Sequence, residues 1–296
     1  MIMNDLLTYA KEIGHEVFIT TTFPKQDNYI DNADLTILCD VFNSPLSIKK
    51  MSRAFISYII ETDKYIHFDN AYVDSCNMDY LPCNGSASNF CEHKNQLSFI
   101  DRLRKRELSN KCFNNNSLVR KMYQNSISNI FLSPLHHSKV SAMLNIESKE
   151  YFILRPTVDT SIFFDKGEER DIKYIFAGAI SEAKGVDNLK EFFKDSEDKI
   201  LMVGKNIYGK KLEFADYTGF VDYSEMPKYF NRAQNFVYLP RWPEPQGRVV
   251  VEAALCGCNL ITNENVGATS FPFDIGDPEN LKNSEQEFWE YIQKLI

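Results

Sequence analysis

The chain lacks a basic excess, a membrane-length apolar run and any closely spaced pair of candidate zinc cysteines. Lys and Arg number 33 against 41 Asp and Glu, a formal net charge of −8 with a pI near 5.3. A general nucleic-acid binder usually shows the opposite balance, so no nucleic acid is expected as partner and any basic surface is local. No run reaches the roughly 20 apolar residues that a membrane-spanning helix needs. The N-terminus carries charges and soon turns amphipathic, unlike a secretory leader, and the expectation is a cytoplasmic chain without signal peptide. Its seven cysteines, Cys39, Cys76, Cys83, Cys91, Cys112, Cys256 and Cys258, are an odd number in a long chain and read as reduced thiols. Cys76, Cys83, Cys91 with His93, and Cys112 are the residues to consider for zinc. None of them stands at the short C-x2-4-C spacing that structural zinc favours, so no metal site is expected. The sequon-like Asn84-Gly85-Ser86 carries no meaning without secretion. Internal repeats and low-complexity tracts are absent as well.

What is present is 296 residues with 44% hydrophobic content, enough for two α/β domains rather than one. The most informative stretch runs from Glu244 to Ala268. Asn235 to Pro240 reads as a buried strand, Pro245-Gln246-Gly247 as a loop, and Val249 to Leu255 as a buried helix closed by Gly257. The loop therefore lies at the carboxyl end of a strand, where open parallel sheets bind ligands. Gly247 allows close approach to the backbone, free amides at a helix start attract anions, and Arg248 adds a fixed positive charge. Glu244 stands before this loop and Glu252 about one turn into the helix, leaning back toward its mouth. The layout suits a phosphate flanked by hydroxyl-rich groups, as in a nucleotide-sugar. The spacing alone fits a solvated loop acid and an ordinary first-turn acid favoured by the helix dipole.

The surroundings of these carboxylates resemble the E-x7-E signature of retaining GT-B glycosyltransferases of family 4, the glycosyl transferases group 1. Glu252-Ala253, Cys256-Gly257 and the Asn-Gly segment after them fall in the family's pattern. The resemblance implies two Rossmann-like domains facing a cleft, with Glu244 contacting the donor sugar and Glu252 the ribose. Ile172 to Ala177, Gly178 to Gly185 and a helix from Val186 to Phe193 are similar to the family element in which an Arg and a Lys clamp the donor diphosphate. Lys184 matches the Lys, whereas Ala179 stands at the Arg position, and Arg248 is the residue that would compensate. Gly178, Gln246 and Gly247 belong to the same donor loops, and the turn after Tyr217-Thr218-Gly219 implies base contacts from Phe220 and Val221, which also read as core residues.

The resemblance is strong from Ile172 onward and loose before it. Asp5 to Ile13 reads as a helix ending at Gly14, followed by a strand from His15 to Thr20. In the family a strand and a glycine-rich loop precede that helix, so the first domain is expected to lack its first strand. Asp34 to Cys39 and Lys64 to Phe68 read as strands, with a helix from Ser47 to Ile60 between them. The family places a His-Asp pair near its acceptor at the end of the second of these strands. The pair is not cleanly present here, Asn70 and Ala71 standing closest to its place, so His67, further back in the strand, and Asp69 are the candidates, although a strand histidine also serves as a satisfied core residue. Asp101 to Arg106 is a basic run that suits an anionic acceptor, peripheral contact with a membrane surface, or a solvated helix face. Ile130 to Ser133 reads as a strand before a helix from Ser138 to Leu144; Tyr151 to Thr160 resembles the segment before the domain crossover.

The expected domains are 1–167 on the acceptor side and 168–296 on the nucleotide-sugar side, the latter with a closing helix from Ser284 to Leu295 that carries Phe288, Trp289, Tyr291 and Ile292. Packing on either domain would explain those apolar residues. No D-x-D triplet occurs, so the expectation is metal-independent transfer from a UDP- or GDP-linked sugar to a glycan, lipid-linked or protein acceptor. Ala179 and the imperfect His-Asp segment also fit a degenerate homologue that binds without turnover. A sugar-nucleotide epimerase keeps the fold and changes the chemistry.

Overall fold

The computed structural model describes residues 2–19, 33–41, 57–61, 64–72, 74–76, 117–147 and 149–296. Thr20, most of the helix expected from Ser47, the basic run at 101–106, and Cys83, Cys91, His93 and Cys112 lie outside the described residues. The chain divides into two compact units. The first comprises Met1–Leu132, His137–Leu154 and Asn283–Ile296; the second comprises Ser133–His136 and Arg155–Lys282. Among the described residues no helix is long and apolar enough to cross a membrane.

In the first unit, β1 (Thr36–Cys39), β2 (Tyr65–Phe68), β3 (Asn129–Phe131) and β4 (Tyr151–Ile153) form a parallel sheet in that spatial order. Helices α1 (Ile2–Glu12), α2 (Ser117–Asn125) and α3 (Pro134–Leu144) fall between or before them in the chain. The four residues of β2 are all buried, as expected for a central strand of a parallel sheet. Residues 15–19, expected to open a strand, form none. Gly14 instead takes a left-handed φ of 93° and the amide of His15 returns to the Ala10 carbonyl at 2.9 Å, which closes α1 and turns the chain.

The last helix, α7 (Ser284–Gln293), belongs to this first unit, whereas the sequence places it in a domain spanning 168–296. Its apolar stripe explains why. Phe288, Trp289 and Ile292 join Leu6, Ala10, Ile66, Phe68, Ile130 and Leu154 in one core cluster. The Trp289 indole N–H donates to the Leu6 carbonyl at 2.8 Å. Each of these large side chains contributes roughly 1.5–3 kcal/mol by leaving water, more than an isolated ten-residue helix needs to become stable. Trp289→Phe keeps most of the area and removes the hydrogen bond. An expected loss of about 1–2 kcal/mol is checked by urea denaturation against the wild type.

The second unit is a five-stranded parallel sheet with order β7-β6-β5-β8-β9, built from β5 (Ile172–Ala177), β6 (Ile200–Val203), β7 (Ala215–Gly219), β8 (Ala233–Tyr238) and β9 (Asn259–Thr262). Helix α4 (Val186–Phe193) follows β5, α5 (Met226–Arg232) precedes β8, and α6 (Arg248–Leu255) joins β8 to β9. Helix α5 is closely bounded at both ends. Tyr223–Glu225 forms a 3-10 turn, and Ala233 is already extended because it pairs with Ile172 at the start of β8. The strand order runs outward in both directions from the neighbours β5 and β8. Their carboxyl ends are therefore the topological switch point, the place where such sheets leave a crevice for a ligand.

Candidate functional site

The loop from β8 to α6 begins where Pro240, lacking an amide hydrogen, ends the ladder. Its backbone is then tied on two sides. Arg241 donates to the Ala183 carbonyl at 2.9 Å, fastening the loop to the one that follows β5. Asn263 and Asn265 both reach the Pro240 carbonyl, at 2.9 and 3.2 Å. Glu244 donates from its amide to the Asn265 carbonyl at 2.7 Å and accepts from Gly267 at 3.0 Å. The Pro245 carbonyl accepts from the Ser133 hydroxyl at 2.5 Å. Gly267 is packed so closely that an added Cβ would lie 2.5 Å from the Ser133 oxygen and 2.7 Å from the Glu244 carbonyl. Glu244 thus projects from a braced backbone rather than from a solvated loop.

Its carboxylate meets Lys184, which comes from the loop after β5. The Lys184 ammonium contacts Glu244 Oε2, and the same oxygen accepts the Tyr238 hydroxyl at 2.5 Å. Lys184 Nζ also sits 4.8 Å from the ring centroid of Trp242 and 5.8 Å from that of Tyr238, within cation–π range. Tyr238 is the last residue of β8 and is buried; burial, then the Glu244 charge, raises its phenol well above the ordinary value and keeps it a donor. Lys184 stands immediately before Gly185, the residue that precedes α4.

Gly247, with φ 79° and ψ 53°, turns the chain into α6 with no side chain capping the helix start. One turn on, Glu252 is 4% exposed. Its Oε1 accepts the Tyr223 hydroxyl at 2.9 Å and Arg248 Nε at 3.2 Å, while Arg248 also reaches the Tyr223 oxygen at 3.2 Å. Burial raises the Glu252 carboxyl above its usual value, opposed by the hydrogen bond from Tyr223 and the Arg248 charge. Arg248, read as a fixed positive charge at the helix mouth, turns its guanidinium toward Glu252 and Tyr223.

At the far edge of the sheet Phe220 is 81% exposed, which excludes the core reading, and Val221 is partly buried. Gly178 follows β5, its amide donating to the Val203 carbonyl at 2.9 Å. Gln246 is buried in the Glu244 loop, its carbonyl accepting from Ala268 at 2.5 Å. The structure thus brings Lys184 to Glu244 and Arg248 to Glu252, two carboxylate–cation pairs on the elements around the switch point.

His67 and Asp69 lie in the first unit, and both are buried. His67 Nε2 is 3.0 Å from Asp74 Oδ2, its ring stands edge-on to Tyr123 at 4.2 Å, and Asp69 Oδ2 accepts the Tyr123 hydroxyl at 2.6 Å. Asp40 beside them is pushed up to about 6 by burial and by Asp74. Only one nitrogen of the His67 ring is paired in this way; its buried Nδ1 has no hydrogen-bond partner among the described residues. Tyr238, Trp242 and Tyr223 were missed by the sequence reading. The available signal was a tyrosine at a buried strand end, since a buried phenol needs a hydrogen-bond partner.

Residues 158–271 match the family model of glycosyl transferases group 1. No curated protein sequence matches the chain. Among solved structures it is similar to the pneumococcal O-GlcNAc transferase GtfA in complex with UDP and GlcNAc, at 11% identity and a TM-score of 0.51 over 82% of this chain and 59% of that one. It is also similar to WaaG, a glycosyltransferase involved in lipopolysaccharide biosynthesis, at 12% identity and a TM-score of 0.50 over 98% of this chain and 90% of that one. At such identities the likeness is one of fold. The chain has the α/β fold with parallel sheets of the GT-B glycosyltransferases.

Proposed function

We propose that the chain, whose residues 158–271 match the glycosyl transferases group 1 model, transfers a sugar from a nucleoside diphosphate to an acceptor with retention of configuration and without a metal at the diphosphate. The observation that carries this reading is the pair of braced carboxylates, Glu244 and Glu252, each beside a cation at the carboxyl ends of β5 and β8. Glu244 accepts from the sugar hydroxyls and Glu252 from the ribose hydroxyls. Lys184 and the backbone amides from Gly247 onward take the diphosphate, with Arg248 adding positive charge beside them. Phe220, an exposed ring after β7, offers a face on which a base can stack, next to Val221.

Charge builds on the diphosphate as the glycosidic bond breaks, so fixed positive groups aimed at it lower the barrier. The departing phosphate then takes the acceptor proton, which requires no separate base. The acceptor belongs to the glycans, lipid-linked saccharides or proteins. Calorimetric titration with UDP, GDP and their sugars tests the donor site: Glu252→Ala is expected to weaken binding about tenfold, the scale of a lost charge-assisted hydrogen bond. A folded wild type that binds none of them overturns the assignment.

The pH dependence has a defined sign. Glu252 accepts ribose hydroxyls more strongly when ionised, with both oxygens available and a full charge, and its carboxyl is raised by burial. Donor affinity is therefore expected to fall on acidification at a pH above the ordinary glutamate range. Glu252→Gln, which does not titrate, should lose that component of the pH profile; identical profiles for the two proteins would remove Glu252 from the site.

A further inference from the structure

Lys184 has two claimants. Its ammonium is held by Glu244, is one-quarter exposed, and lies over the Trp242 ring at 4.8 Å. Glu244 is only 12% exposed, and the oxygen that holds Lys184 is the one that accepts the Tyr238 hydroxyl. A diphosphate that takes Lys184 must take it from this carboxylate. The pair also lies where water is scarce, so the separated charges are weakly screened.

Removing one partner from a largely buried ion pair is costly, because the other charge is left without compensation. Once Lys184 turns to a diphosphate, Glu244 retains the Tyr238 hydroxyl on Oε2 and faces a new anion. Hydroxyl donors restore its balance, and a sugar on the diphosphate brings several of them. A bare nucleoside diphosphate brings none to that position.

We infer that Glu244 is an internal counter-anion for Lys184, which makes the site select a diphosphate that carries a sugar over the same nucleoside diphosphate without one. This rests on the donor-site reading of Lys184 and Glu244 and adds a sign to it. Glu244 opposes binding of the product nucleotide and favours the substrate. After transfer, the departing sugar takes its hydroxyls away, Glu244 competes again for Lys184, and the nucleotide is released. Tyr238 is the positioning residue: it satisfies part of Oε2, so that Glu244 can yield Lys184.

The test is calorimetry with UDP and UDP-glucose, and with GDP and GDP-mannose, on the wild type, Glu244→Gln and Tyr238→Phe. Glu244→Gln keeps the shape and removes the charge. It is expected to bind the bare nucleoside diphosphate about tenfold more tightly, while the preference for the sugar-bearing form shrinks by at least that factor. Tyr238→Phe is expected to shift the bare nucleotide the other way, about threefold weaker, because Glu244 then depends more on Lys184. A merely structural role for Glu244 weakens both ligands together, and that result, or unchanged binding of the bare nucleotide in a folded Glu244→Gln, overturns the inference alone. A wild type that binds neither form overturns the donor reading and the inference with it.

Discussion

Lys184→Ala is expected to lower turnover of the donor by about 100- to 1000-fold, the range seen when one preorganised donor to a developing charge is removed. Two effects act together. The leaving diphosphate loses the only side-chain cation that the loop after β5 places beside Glu244, since the position five residues earlier is Ala179. Glu244 also keeps its charge with only the Tyr238 hydroxyl on Oε2, so the incoming diphosphate meets an uncompensated carboxylate. The second effect predicts that affinity suffers as well as rate, by about 10- to 100-fold. Initial rates of sugar release from the donor and calorimetry with the same donor separate the two. The pair Lys184→Ala and Glu244→Gln should be non-additive, the double variant binding bare nucleotide better than Lys184→Ala alone. Wild-type rates in Lys184→Ala would remove this residue from the chemistry.

What could be read from the sequence was what is local in the chain. The runs Asp34 to Cys39 and Lys64 to Phe68 hold the strands β1 and β2 as expected, because buried parallel strands are short continuous apolar runs. The helix starting at Arg248 was legible from Gly247 before it and Gly257 after it. Contacts between distant residues were not legible. Tyr223 reaches Glu252 across 29 positions and Trp289 reaches Leu6 across 283, and no periodicity records such meetings. The same limit explains the placement of α7: an amphipathic helix advertises that it packs, not on what. For His67 the sequence left two readings open, and neither of the neighbours it meets, Asp74 and, 56 residues away, Tyr123, was legible as such. Arg248 was visible as a charge, but its direction depends on a tyrosine from another loop.

Gly185→Ala is expected to destabilise the protein by about 4 kcal/mol or more, which is exceptional for the addition of one methyl group. Part of the cost is conformational. Gly185 has a φ of 88°, and a residue with a Cβ loses about 1–2 kcal/mol in the left-handed region. The larger part is steric. A Cβ there would fall on the Leu239 carbonyl, 2.6 Å from its carbon, and this is backbone rather than a side chain that can swing away. Leu239 cannot retreat easily, because it directly follows β8, whose register against β9 pairs Tyr238 with Thr262. The Leu239 carbonyl also accepts from the Asn188 side chain at 2.8 Å. Relief therefore comes from moving the start of α4, and Lys184 moves with it, away from Glu244. Donor binding should fall in whatever fraction remains folded. Gly209→Ala is the matched control: its φ is 75° and nothing lies within 4 Å of an added Cβ, so it should show the conformational cost alone. Urea denaturation of the two variants separates the terms. Equal losses in both would mean that the approach of Gly185 to the end of β8 does not hold Lys184 in place.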